Sequence, residues 1–108
     1  IIKKILNEYT KKIIKIKKPN DLLIDGKKIC GILQEVIDHK KEKYLITGIG
    51  INTKIFPLDK NFKSTSLKIN SIKNISNKII IDKIMKNYDK LIYDINNRNS
   101  LYIKNKYK

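Results

Sequence analysis

The segment that most constrains this chain is Tyr44 to Asn52, in which alternate positions lose their side chains. Successive side chains of an extended strand point to opposite faces, so Gly48, Gly50 and Asn52 share one face while Leu45, Thr47, Ile49 and Ile51 share the other. One face is thus covered by branched side chains. The other is bare main chain at two successive positions and ends in an amide that both donates and accepts. Such a face could take a flat group, or its glycines could simply accommodate a crossing helix or a bend.

The neighbouring segments supply strands for it to pair with. Ile13 to Lys17 alternates, placing Ile14 and Ile16 on one face and Lys15 and Lys17 on the other. Pro19 ends it, and Asn20 and Asp21 favour a sharp turn over Lys17 to Asp21. Leu22 to Ile24 reads as a short strand, and Asp25-Gly26 is the dipeptide that type I′ hairpins require. A long strand follows from Lys27 to Ile37, with Gly31 marking a bulge or a close neighbour inside it. Asp38 to Lys43 reads as a polar hairpin loop. Thr53 to Asn74 is loop-like around a short Ser64-Thr65-Ser66-Leu67 element, and loops this long are often functional. Two helical patterns flank the strands. Ile2, Ile5, Leu6 and Tyr9 form an opening stripe, and Ser76 or Asn77 caps a second helix whose stripe is Ile81, Ile84, Met85, Tyr88, Leu91, Ile92 and Ile95. Asn96, Asn97 and Asn99 break that helix, and Ser100 starts a short final one. The opening helix begins at Ile1 without Met, and its stripe needs something to pack on, so a partner segment is expected upstream.

Composition removes several classes of function. With 41% hydrophobic residues the 108-residue chain can bury the core of one domain or part of one. Its longest apolar runs are three residues, such as Ile79 to Ile81, against the roughly 20 needed to cross a bilayer. A lone Cys30 and a lone His39 provide neither an internal disulfide nor a metal cluster, and a reducing, cytoplasmic setting is expected. The 25 basic residues outnumber the 10 acidic ones, giving a net charge of +15. All but Arg98 are lysines spread from Lys3 to Lys108, and Ile and Asn, which like Lys have A/T-rich codons, are inflated as well. Base composition accounts for that charge, although a small basic nucleic-acid-binding protein remains an alternative.

Serine-histidine and cysteine-histidine catalysis lack the residues. His39 falls in a lysine-rich loop and Cys30 in mid-strand, where it reads as a small buried hydrophobe. No P-loop or dinucleotide fingerprint is present. What remains is a lysine at a strand end before a rigid turn (Lys17, Pro19, Asn20, Asp21), a second lysine opening the long strand (Lys28), and the bare glycine face. Fixed ammonium groups beside an open sheet suit acyl adenylation, in which charge builds on phosphoryl oxygens and no side-chain nucleophile is needed.

These strings, in order, resemble the catalytic domain of biotin protein ligases: Lys17-Lys18-Pro19-Asn20-Asp21-Leu22, then Lys28-Ile29-Cys30-Gly31-Ile32-Leu33 with Glu35, then Gly48-Ile49-Gly50-Ile51-Asn52, then Phe56-Pro57 and Thr65-Ser66-Leu67. The resemblance implies an α/β domain of the α+β type, with a mixed, largely antiparallel sheet and flanking helices like those of class II synthetases. Residues 1–108 would be the C-terminal part of that domain. It implies formation of biotinyl-5′-adenylate from biotin and ATP with Mg²⁺, then transfer to a lysine of the biotin carboxyl carrier protein of acetyl-CoA carboxylase. Neither a membrane nor a specific nucleic acid is implied as a partner. By motif position Lys17 would contact the biotin carboxylate and α-phosphate, Asn20 and Asp21 would shape the turn, and Leu22 would line the biotin pocket. Lys28 and Gly31 would sit beside the adenylate, Gly48 and Gly50 would admit the biotin bicycle, and Asn52 would lie near the nucleotide. Lys18 stands where the family has an aromatic residue. The family's Gly/Arg-rich loop is not in these residues, so the fragment alone is expected to have little activity. A lipoate or octanoate ligase or transferase is the related alternative.

Overall fold

The computed structural model describes residues 1–59 and 61–107, so Lys60, within the expected long loop, lies outside the described residues. Four strands, β1 (Ile14–Lys17), β2 (Asp21–Ile24), β3 (Lys27–His39) and β4 (Glu42–Ile51), form a meander in the order β1-β2-β3-β4. Every strand pair is antiparallel, and the parallel element of the expected mixed sheet reduces to an isolated bridge between Lys28 and Ser64. Asp25 and Gly26 both take positive φ, 52° and 74°, as the type I′ turn demands.

The second hairpin is tighter than its sequence suggests. Asp38 pairs with Lys43 and His39 with Glu42, so the expected loop over 38–43 shrinks to Lys40-Lys41, and His39 is an exposed strand residue. Both lysines have positive φ, 49° and 66°. A two-residue connection must match the strand twist, and here that geometry outweighs the preference of lysine for negative φ. Because β2 ends opposite Gly31, the outer half of β3 pairs with β4 alone and projects as a two-stranded ribbon. Leu33, Val36 and Leu45 are exposed along it.

Behind the sheet lie α1 (Ile2–Leu6), α2 (Leu67–Asn70), α3 (Asn77–Asn97) and α4 (Ser100–Lys106). The opening stripe Ile2, Ile5, Leu6 and Tyr9 is buried as its spacing predicts. Ile2, Leu6 and Tyr9 of that stripe join Ile14, Leu22, Ile24, Ile29, Cys30, Leu67 and Ile80 in one core. Ile14 is buried while Ile16, expected on the same covered face, is exposed, because the core ends under the first half of β1. In α3, Ser76 caps the first turn by accepting from the Ile79 N–H. The covered stripe is Ile80, Ile84, Tyr88 and Leu91. Ile81, Met85, Ile92 and Ile95 of the expected stripe face outward. Three consecutive isoleucines permit more than one apolar stripe, and the narrow sheet covers only one. No helix among the described residues is long and apolar enough to cross a membrane.

Candidate functional site

Cross-strand partners share a face, and the register sets Lys17 beside Asp21, Asp21 beside Gly31, and Gly31 beside Gly50. Leu33 and Gly48 form the next pair on that face. A register shift between Leu22 and Leu23 leaves Ile29 as an extra residue. Ile29 and Cys30 are therefore both buried, while Lys28 rejoins the face that carries Asp21 and the glycines. The result is a cleft of about 850 Å³ over bare main chain, walled by Asp21, Lys28, Asn52 and, from the long loop, Pro57, Phe62 and Ser64.

The glycines are not required by the chain's own packing. A Cβ added to Gly48 would have Leu33 O as its nearest neighbour at 3.8 Å, and one on Gly50 would meet only Gly31 O at 3.9 Å, both ordinary contacts. No helix crosses there, so the crossing-helix explanation of the pattern does not hold. Gly31 differs: a Cβ there would lie 3.1 Å from Lys28 Nζ. Its missing side chain is what lets the ammonium lie across the strand.

Of the residues singled out from sequence, Asn20, Asp21, Lys28, Gly31, Gly48, Gly50 and Asn52 come together around this cleft. Lys17 lies in the same row but on the exposed edge strand, outside the lining. Leu22 is buried in the core on the opposite face and borders an adjoining cleft of about 470 Å³ with Ile16 and Tyr88, which shares Asn20 and Asp21 with the first. Asn52 has a structural duty too: its amide donates to Lys28 O at 3.3 Å and to Thr65 O at 3.2 Å, fastening the end of β4 to the loop before α2. Ser64 was missed by motif reading. Its Oγ is buried without a hydrogen-bond partner among the described residues, and it borders the cleft beside Lys28. No local sequence signal announces it, because the Lys28–Ser64 bridge joins distant segments.

Lys28 Nζ stands 3.3 Å from Asp21 Oδ1, each side chain about a third exposed. At that exposure the pair is weak, and an incoming phosphoryl oxygen competes readily for the ammonium. Burial pushes the Cys30 thiol up to about 11, opposed by the positive charge of Lys28, so the thiol is protonated and inert at neutral pH. No group of three or more His, Cys, Asp or Glu gathers among the described residues. Mg²⁺ is commonly held by one or two carboxylates plus substrate phosphates, and Asp21 is the carboxylate on this cleft that fits such a role.

Residues 1–52 match the Biotin/lipoate A/B protein ligase family. No curated protein sequence matches the chain. The structure is similar to an apo biotin protein ligase from Aquifex aeolicus, with a TM-score of 0.70 and 27% identity, over 97% of this chain and 47% of that one. It is similar to the biotin protein ligase of the same organism in complex with biotin and ATP, with a TM-score of 0.66 and 28% identity over 86% and 39% of the two chains. The biotin acetyl coenzyme A carboxylase synthetase of Helicobacter pylori with bound biotinylated ATP gives 0.50 and 26%, over 82% and 35%. The chain spans about half the length of the apo Aquifex aeolicus ligase. Its antiparallel sheet and helices reproduce part of the biotin ligase catalytic domain.

Proposed function

We propose that this chain, whose residues 1–52 belong to the Biotin/lipoate A/B protein ligase family, supplies part of a biotin protein ligase active site: the surface that holds biotinyl-5′-adenylate. The observation that carries this reading is bare main chain at Gly48 and Gly50 that no described side chain fills, continued at Gly31 by the Lys28 ammonium lying across the strand. In the first half-reaction a biotin carboxylate oxygen attacks the α-phosphorus of ATP, a P–O bond forms, and the bond to pyrophosphate breaks. Negative charge grows on the phosphoryl oxygens, and Lys28 offsets it without giving up a proton. Bound Mg²⁺ would add charge neutralisation at the phosphates. In the second half-reaction a lysine amine of the carrier protein attacks the biotinyl carbonyl carbon and AMP leaves. The protein must supply position and exclude water, and the glycine face lets the planar part of the ligand lie against the strands.

Lys28 takes the central role ahead of Lys17, since Lys28 lines the cleft and Lys17 stands at the exposed end of the row. Asn20 and Asp21 shape the turn, and Asn52 holds the far rim. The similarity to structures bound to biotin and to biotinylated ATP supports biotin over lipoate, as does the Gly48-Ile49-Gly50-Ile51-Asn52 string. We place the activity in the cytoplasm, which suits the free thiol of Cys30.

The test is a streptavidin blot of carrier protein after incubating the full-length gene product with biotin, ATP and Mg²⁺. Lys28→Ala should lower labelling by about 10² or more, as loss of one preorganised cation does. Lys17→Ala should lower it less. Equal labelling by Lys28→Ala and the parent would overturn the assignment, and competition by lipoate equal to that of biotin would shift it to the related ligases.

A further inference from the structure

Lysines far apart in the sequence meet at one end of the fold, away from the glycine cleft. Lys3 and Lys4 on α1, Lys90 on α3 and Lys106 on α4 line a further recess of about 280 Å³, with Ile1 and Tyr107 also in its wall. This recess shares no lining residue with the cleft over Gly31, Gly48 and Gly50. Among the described residues the Asp94 carboxylate, its side chain 4% exposed, is engaged by the wall of this recess. Lys106 Nζ donates to it at 2.6 Å and the Tyr107 hydroxyl at 2.7 Å. Lys3, Lys4 and Lys90 form no ion pair with a described acidic residue.

Four lysines line one small recess, where like charges repel one another, and the buried Asp94 carboxylate pairs with one of them. Nothing in the packing of the core requires them there. The apolar contacts of α1 and α3 run through Ile2, Leu6, Ile80 and Tyr88, on other faces of those helices. Asp94 fixes Lys106 in place and keeps it charged, raising its pKa to about 12 chiefly through their hydrogen bond. The recess is therefore lined by one lysine held in place by Asp94 and by three that have no ion-pair partner among the described residues.

We propose that this recess binds a phosphate-bearing anion at a site separate from the adenylate cleft. Lysine ammonium groups act on phosphate as point charges with three donors each, and several converging on one recess suit an anion that presents several oxygens. The volume admits a short polyphosphate or one phosphodiester of a strand, and the two sources share the same chemistry.

The test compares Lys3→Gln/Lys4→Gln/Lys90→Gln with a charge-matched control at the distant hairpin, Lys40→Gln/Lys41→Gln/Lys43→Gln. Inorganic tripolyphosphate binding is followed by calorimetry. Binding of a labelled single-stranded oligonucleotide of about ten nucleotides is followed by anisotropy across a salt series. If the recess takes nucleic-acid backbone, the first variant loses about 2 from the log–log salt slope, near 0.7 for each of three contacts, and the control keeps its slope. If it takes free polyphosphate, tripolyphosphate affinity falls at least about tenfold in the first variant alone. Equal losses in both variants, or no loss in either, would overturn the proposal. Because Lys28 also meets phosphoryl oxygens in the ligase reading, the titrations are repeated in a Lys28→Ala background, where the losses caused by Lys3→Gln/Lys4→Gln/Lys90→Gln should persist, while the ligase reading is judged separately by carrier labelling.

Discussion

Gly31 and Gly50 face each other across two strands and are bare for different reasons. At Gly31 a methyl group would crowd the end of the Lys28 side chain at 3.1 Å, whereas at Gly50 it would meet only ordinary contacts. Glycine in a strand interior forfeits both packing and backbone entropy, so Gly50→Val should leave stability unchanged or raise it by up to about 1 kcal/mol. The same substitution puts two methyl groups where the ligand is proposed to lie, so binding of a non-hydrolysable biotinyl-adenylate analogue should be lost. A variant that melts higher and still binds would show that the glycine face is not the binding surface. Cys30 gives a second prediction at this scale. Its thiol is 1% exposed and ionises near 11 in the fold against 9.0 for the ordinary group. A raised folded value means the stabilisation is whole below pH 9 and is lost as pH rises toward 11, because the unfolded thiol releases its proton first. Two pKa units correspond to about 2 to 3 kcal/mol. Urea midpoints of the parent should therefore fall more steeply from pH 9 to pH 11 than those of Cys30→Ala, and parallel curves would contradict the assignment.

The two hairpins show how far elements could be read in advance. Asp25-Gly26 declares its turn, since both residue types tolerate positive φ, and the structure has that turn. Lys40-Lys41 makes the same turn with residues that declare nothing, so its bounds emerge only from the pairing of Asp38 with Lys43. Lys41→Gly should relieve the left-handed conformation and stabilise the protein by about 1 kcal/mol, read as a higher urea midpoint at constant m-value. A lower midpoint would mean that the ribbon depends on the lysine side chain. Helix α3 illustrates a different limit. Its cap at Ser76 and its length were legible from local chemistry, but Ile79, Ile80 and Ile81 offer competing stripes, and tertiary contact with the core selects Ile80. The candidate site divides the same way. Strand parity alone places Gly48 and Gly50 on one face, while the choice of Lys28 over Lys17 turns on the extra residue at Ile29, which has no sequence signature.

Taken as a whole, the molecule is more extended than its length requires. Its radius of gyration is 15.5 Å, with extents of 42 × 27 × 25 Å, against about 13 Å for a compact domain of this size. The projecting ribbon of β3 and β4 accounts for part of the difference, and its uncovered Leu33, Val36 and Leu45 gain little from burial. A net charge of +15 is therefore carried by a fold with modest apolar reserves. Four ion pairs are present among the described residues, and three of them are open enough to solvent to be worth no more than about 1 kcal/mol each. Long-range repulsion among the lysines acts against these pairs, and it involves far more charges. Raising sodium chloride from about 10 mM to about 150 mM shortens the screening length from about 30 Å to about 8 Å, which suppresses repulsion between separated lysines more than attraction within a contact pair. The melting temperature should therefore rise over that range. A fall would mean that the local pairs, above all the one between Lys106 and the buried Asp94, outweigh the repulsion summed over the whole surface.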